Sequence, residues 1–464
     1  MFEITRRNAL KSVSCGFGYL AFAGLAHATA EKDQQSSNPL LPKPPHFEPK
    51  AKRVIFLCMR GGPSHVDTFD YKPSLKNHAG KSPGDAAKGQ NSQKGRKLLP
   101  SPWEFKPRGD SGLMVSDLYP HLAEHADELC VINGAWTDIP NHPQALVQLH
   151  TGNFQFVRPS MGAWALYGLG TENQDLPGFI TIKPPARLGG AQNYGAAFLP
   201  AVYQGTQVGG QGESLSKVQI GNIQNAQLPK DVQRKQIDFV QSLNRNLADR
   251  QPQNSQIDGV IESYELAFRM QSAVPQVMDT SSETLQTHKK YGIGKSQTDD
   301  FGRACLMARR FAESGVRFIE LTHEGWDQHK ALKSKLTSNC GATDQPIAAL
   351  ISDLKERDML KDTLIVWSGE FGRTPAVRNQ DGRDHNATGY SMWMAGGGIK
   401  GGMNYGATDE FGISAVDNKF HVHDFHATTL HLLGLDHIKL TYRYAGRDFR
   451  LTDVYGNVPN DILS

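Results

Sequence analysis

The chain has too little of several residue classes for any one of them to explain it. Five cysteines stand among 464 residues. With no C-x-x-C pair and no zinc-ribbon spacing, a disulfide scaffold and a thiolate zinc module are excluded. Cys15 falls in the N-terminal segment discussed below. Cys58 and Cys130 sit in apolar runs and read as small buried core residues, while a Cys305–Cys340 disulfide stays open. Charge of one sign is also scarce: 50 Lys and Arg face 47 Asp and Glu, a net charge of +3. Arg6, Arg7 and Lys11 against Glu3 carry most of that excess. So even a balance does not point to nucleic acid or to an anionic membrane surface. After the first thirty residues, no apolar run is long enough to span a bilayer. The glycine run Ala395-Gly-Gly-Gly-Ile-Lys-Gly-Gly402 lacks the ending of a P-loop and the spacing of a dinucleotide fingerprint. It is expected instead to form a tight turn under a site.

What is present begins with an address. Residues 1–28 carry the twin-arginine pair Arg6-Arg7, a mildly apolar stretch rich in Gly, Ser and Ala, and the small-residue cleavage site Ala26-His27-Ala28. They read as a cleaved twin-arginine signal, which implies the twin-arginine export machinery as a partner and a periplasmic or secreted protein. That route carries folded chains, often already loaded with a cofactor. Residues 29–52 form a proline-rich linker expected to be extended or mobile.

Residues 53–464 read as an α/β domain. Arg53–Met59 is a continuous apolar run that ends at Gly61-Gly62, as a strand buried on both faces does. Residues 76–110 are expected to form a long surface loop, and Leu129–Asn133 a second strand. The Gln-, Asn- and Gly-rich stretch 183–300 reads as an insertion or cap with two helices, the first with an apolar face of Ile237, Val240, Leu243 and Leu247. From 300 onward helices and strands alternate, with strands at 316–321, 363–367 and 391–395 and a closing helix at 424–433. This pattern predicts a mostly parallel sheet covered by helices on both faces. In such sheets ligands collect at the carboxyl ends of the strands.

Just past those ends stand His65, Asp67 and Asp70; Asn141 and His142; His323, Glu324, Asp327 and His329; Glu370 and Arg373; Asp384 and His385; and His421, His423 and Asp424. Carboxylates and imidazoles are the ligands divalent cations take. Asp67 and Asp70 also suit turns, Asp424 suits a helix N-cap, and His426 and His431 suit packing. Glu370 ends an apolar strand, where a buried carboxylate needs a cation or donors.

These motifs resemble the alkaline phosphatase and sulfatase superfamily. More closely, they resemble a twin-arginine-exported, sulfatase-like family known as domain of unknown function 1501. The resemblance is carried by Gly61-Gly-Pro-Ser-His-Val-Asp-Thr-Phe-Asp70, Gly325-Trp-Asp-Gln-His329, Gly369-Glu-Phe-Gly-Arg-Thr-Pro375, Gly382-Arg-Asp-His385 and the tail from His423 to Asp453. It implies an alkaline phosphatase-like fold and a site for zinc, manganese, calcium or magnesium. The implied ligands come from His65, Asp67, Asp70, Asp327, His329, Glu370, Asp384, His385, His421 and His423. Two departures stand out. Met59-Arg60 occupies the place of the superfamily's first Asp, and no cysteine fits the sulfatase motif whose cysteine becomes formylglycine. His142 stands near that position, with Thr137 as a weaker nucleophile candidate. The expectation is a metal-dependent hydrolase of a phosphate or sulfate ester, small-molecule or polysaccharide, with Arg373 clamping an anionic oxygen and His142 as ligand or general acid. The alternative is an inactive exported metal-binding or surface-assembly protein with the same fold.

Overall fold

The computed structural model describes residues 38–84, 95–216, 218, 228–251, 254–378 and 381–464. The expected signal segment and its cleavage site lie outside the described residues. The frame is a nine-stranded sheet. Its strands are β1 Arg53–Met59, β2 Leu129–Trp136, β3 Phe179–Ile182, β4 Thr206–Val208, β5 Phe318–His323, β6 Thr363–Ser368, β7 Tyr390–Ala395, β8 Met403–Tyr405 and β9 Phe420–His421. The order across the sheet is β8-β2-β7-β6-β1-β5-β3-β4, with β9 also paired to β2. β1 runs parallel to β5 and β6, and β3 runs parallel to β5 and β4. Within this sheet only β7 opposes its neighbours.

Because β1 is buried on both faces, its two-residue period divides it between two cores. Ile55, Leu57 and Met59 pack into one apolar cluster, with helices α5 (Asp299–Glu313) and α6 (Leu332–Glu356). Val54, Phe56 and Cys58 pack into the other, with α1 (His142–Thr151), α2 (Met161–Leu169) and α7 (Val422–Leu432). The result is the predicted α/β architecture: a mostly parallel sheet with helices on both faces. Among the described residues no helix is long and apolar enough to cross a membrane.

Several local expectations need correction. The described part of the linker is not loose: Lys43 N–H donates to the Leu169 carbonyl, and Lys50 and Ala51 donate to that of Leu432. This lead-in therefore bonds to the C-terminal ends of α2 and α7, whose last carbonyls lack partners within their own helices. In the segment 76–110, Phe105–Arg108 pairs with Leu113–Ser116, and Lys97–Leu98 pairs with Ala376–Val377; residues 85–94 lie outside the described residues. Cys305 and Cys340 are both free and buried. The glycine run after β7 turns against Leu360, Thr363 and Leu364, at the start of β6. It therefore lies at the edge of the sheet opposite the strand ends that carry the site, because β7 runs antiparallel.

The two expected helices of the 183–300 stretch are present, α3 (Lys230–Arg250) and α4 (Ser255–Met278). The predicted apolar face of α3 is nevertheless only partly covered: Leu243 is 55% exposed and Leu247 45%, while Ile237 and Val240 are half-buried. Gln233 and Gln241 are the buried residues of that helix instead. The stretch also contributes β4 to the sheet edge, so it is partly built into the fold.

Candidate metal centre

β1, β5 and β6 are adjacent and parallel, so the turns that follow them meet at one edge. Gly61 makes the meeting close. It has a φ of +118°, and a Cβ there would lie 2.5 Å from the Asp327 nitrogen, which no larger residue tolerates. Its N–H donates to both Glu370 carboxylate oxygens at 3.0 Å. Glu370 is fully buried, and its Oε1 also accepts from His142 Nδ1 at 2.5 Å. The donors expected around a buried carboxylate are therefore present, and they hold Glu370 behind His142 rather than in the ligand position.

The side chains converge on Asp327 Oδ1. His142 Nε2 lies 3.2 Å from it, His329 Nε2 3.0 Å, His385 Nε2 3.3 Å and Arg373 Nη2 2.7 Å. The outer nitrogen of each imidazole is already bound. His385 Nδ1 donates to the Pro140 carbonyl at 2.7 Å, His329 Nδ1 to Asp384 Oδ1 at 3.0 Å, and His142 Nδ1 to Glu370. Carbonyls and carboxylates only accept, so the three Nδ1 atoms carry the protons. In the neutral rings the three Nε2 atoms are then bare. His329 Nε2 and His385 Nε2 face each other at 2.9 Å, and His142 Nε2 is buried without an aligned hydrogen bond. Bare nitrogens this close to one another and to a carboxylate need a cation between them, either a proton or a metal. Imidazoles oriented by carboxylates and a carbonyl through their far nitrogens are the arrangement found around protein-bound metals. The residues present therefore fit a divalent ion, which His142, Asp327 and His385 would hold, with His329 against the Asp327 and His385 side of the group.

The electrostatics agree. Burial works to lower the pKa of His142, yet Asp327 and Glu370 together raise it to about 9. Burial acts to raise the pKa of Asp327, but the neighbouring His142, His385 and Arg373 hold it far below the carboxylate range. Without a metal, His142 keeps the proton that a metal must displace. The cluster opens on a cavity of about 480 Å³ lined by Arg96, Pro140, His329, Arg378, Asp384 and His385 among others. Among the described residues, none of that lining comes from 183–300.

Other expected site residues lie elsewhere. Arg373 is fully buried, with Nε donating to the Gly62 carbonyl at 2.9 Å, Nη1 to that of Arg383 at 3.2 Å, and Nη2 to the Gly61 carbonyl and Asp327. It positions Asp327 and is not a free anion clamp. Asp67 forms a wholly buried two-point pair with Arg383, at 2.7 and 3.0 Å. Asp70 is held by Lys72 at 3.0 Å and by Thr408, and His65 Nε2 bonds the Gly412 carbonyl at 2.7 Å. His421 caps α7 in a reciprocal box with Asp424, and His423 Nε2 bonds the Gly152 carbonyl at 2.7 Å. Thr137 is buried and donates to Gln148 at 3.0 Å, so its hydroxyl is not presented as a nucleophile. Asp384 holds His329 from outside and pairs with Arg96 at 2.5 Å. Sequence reasoning missed Arg96 and the Pro140 carbonyl. A buried arginine just before a short strand left no periodic signal, and a backbone acceptor leaves none at all.

No curated protein matches the chain in sequence. Among solved structures, a sulfatase from Pseudoalteromonas sp. is similar at 13% identity and a TM-score of 0.37, covering 83% of this chain and 68% of its own. The C-terminal periplasmic domain of EcEptC from Escherichia coli, in complex with zinc, is similar at 9% identity and TM-score 0.35, covering 85% and 86%. The alkaline phosphatase of the Antarctic bacterium TAB5 is similar at 10% identity and TM-score 0.30, covering 77% and 95%. The model of one family, described as "Protein of unknown function (DUF1501)", matches residues 51–463, and the chain belongs to that family.

Proposed function

We propose that the chain is an exported, metal-dependent hydrolase of phosphate or sulfate esters. The observation that carries this reading is the convergence of His142, His329 and His385 Nε2 on Asp327 Oδ1, with every Nδ1 already engaged. Imidazoles joined by one carboxylate favour zinc over manganese, calcium or magnesium, which prefer oxygen ligands. When bound, such an ion supplies Lewis-acid polarisation of an ester oxygen.

The chain's own groups then have distinct tasks. Glu370, Asp384 and the Pro140 carbonyl orient the three imidazoles, and Arg373 orients Asp327. Arg378 is exposed at the cavity and supplies positive charge to an anionic ester, while Arg96 is partly neutralised by Asp384. Among the described residues that line the cavity or surround Asp327 Oδ1, there is no Ser, Thr or Cys. In this reading water attacks phosphorus or sulfur directly and the alcohol leaves, so no ester forms on the protein. The Arg6-Arg7 segment supports export through the twin-arginine route, to a periplasmic or secreted location.

The test is turnover of aryl phosphomonoesters, phosphodiesters and sulfate esters by the mature protein loaded with zinc, manganese, magnesium or calcium. Metal-dependent turnover that is lost in His385→Ala supports the reading. Bound metal with no turnover of any ester class overturns the hydrolase and leaves a metal-binding protein.

A further inference from the structure

A second group of ligand-type side chains lies inside the molecule. In the sheet register Cys58 stands beside Thr322, and Glu320 stands beside both Phe56 and Thr181. Register partners share a face, so Cys58, Glu320, Thr181 and Thr322 all point into the layer that holds Phe56, Phe179 and Phe318. From the helix above, His150 Nε2 approaches Glu320 Oε1 to 3.1 Å. Its Nδ1 donates to the Leu146 carbonyl at 2.7 Å, so the neutral ring presents a bare Nε2 to this group. One ligand atom each from Cys58, His150 and Glu320 lies within 4.8 Å of the others. All three residues are buried: Cys58 and Glu320 are 1% exposed and His150 3%.

An ordinary ion pair between His150 and Glu320 does not account for this group. It engages only Oε1, whereas Glu320 Oε2 is buried with no hydrogen-bond partner, as are the Thr181 and Thr322 hydroxyls. A carboxylate oxygen left without a donor in an apolar layer is costly, and such groups are normally paired or bound to a cation. A thiol, an imidazole and a carboxylate from three elements are all donor types that zinc takes, with bond lengths of about 2.0–2.3 Å.

We propose that Cys58, His150 and Glu320 bind a second divalent cation of the zinc class, sealed in the layer between the sheet and α1. The site is closed to substrate, so its ion is structural, and it enters as the chain folds. On binding, the Cys58 thiol releases its proton to water and the sulfur bonds the ion as thiolate. Because His150 and His142 share α1, the buried ion also anchors the helix that carries one ligand of the open centre.

The test uses the full chain carrying His329→Ala and His385→Ala, which removes the open centre from the measurement. The protein is produced with cobalt or zinc and dialysed against chelator. The expected result is about one equivalent of retained metal, with a thiolate-to-cobalt charge-transfer band in the cobalt form. Cys58→Ser then abolishes the band. Glu320→Gln, which keeps the side-chain shape, lowers retained metal at least tenfold and serves where the Cys58 variant does not fold. A folded protein with no chelator-resistant metal and no thiolate band overturns the proposal, as does a band that survives Cys58→Ser. Loss of ester turnover alone bears only on the open centre.

Discussion

Two clusters of ligand-type side chains, one at the rim of the sheet and one within its covered layer, differ in what surrounds them. At the rim, Asp327 is 47% exposed along its side chain and His329 41%, and every imidazole has an outer partner. In the layer, Cys58, His150 and Glu320 are sealed, and Glu320 Oε2 has no partner. Water and counter-charges can reach the first cluster, so loss of one member costs function more than stability. Nothing but a neighbouring side chain or an ion compensates the second, so loss of one member strikes the fold.

The sharpest way to break this contrast is to truncate a member of the sealed cluster. In the metal-free chain, where Glu320 beside it keeps His150 protonated, Glu320→Ala is expected to lower the unfolding free energy by about 3–5 kcal/mol, because a buried imidazolium is left with no counter-charge. Urea unfolding measures it, and a loss no larger than a surface substitution gives would erase the distinction. At the rim, His385→Ala is expected to remove metal binding and turnover while the urea midpoint barely moves, as titration with zinc beside unfolding would report. Glu370→Gln tests the outer layer of the same centre. Metal affinity is expected to fall about 10- to 100-fold, since His142 loses its carboxylate partner but remains in place.

The smallest effect is on pH. The pKa of His142 is raised to about 9 in the folded chain, so its contribution to the stability of the metal-free protein is full below the ordinary histidine value. It is lost as pH rises through about 9. Over the same window metal affinity at the rim is expected to rise by up to about tenfold per pH unit, as a metal displaces this proton. Calorimetric titration across that range checks the sign, and a His142→Ala protein should show a flatter profile.

Much of the frame was legible because it rests on local patterns. The apolar run at 53–59 and the periodic faces from 300 onward need only the two-residue and 3.6-residue repeats. Asp327, His329, Asp384, His385 and His142 were placed by the rule that ligands collect at carboxyl strand ends. The same rule also gathered His65, Asp67, Asp70, His421 and His423, since it specifies a rim and not a direction around it. Asp67 turns to Arg383 because a fully buried guanidinium requires a counter-charge, a demand visible only once both are buried. The sealed cluster left one overlooked signal: Glu320 interrupts the apolar start of strand Phe318–His323 on a face where no water reaches it.

From the sequence alone, the family, the α/β alternation and the chemical types available at the strand ends could be determined, because hydrophobic periodicity and motif spacing are properties of neighbours along the chain. Only the tertiary structure decided which imidazoles share one carboxylate, which arginine is spent on backbone carbonyls, and that Cys58 meets His150 and Glu320. Those outcomes depend on strand order and on the antiparallel β7 of the central sheet. They also depend on the burial of charges that must find partners far away in sequence.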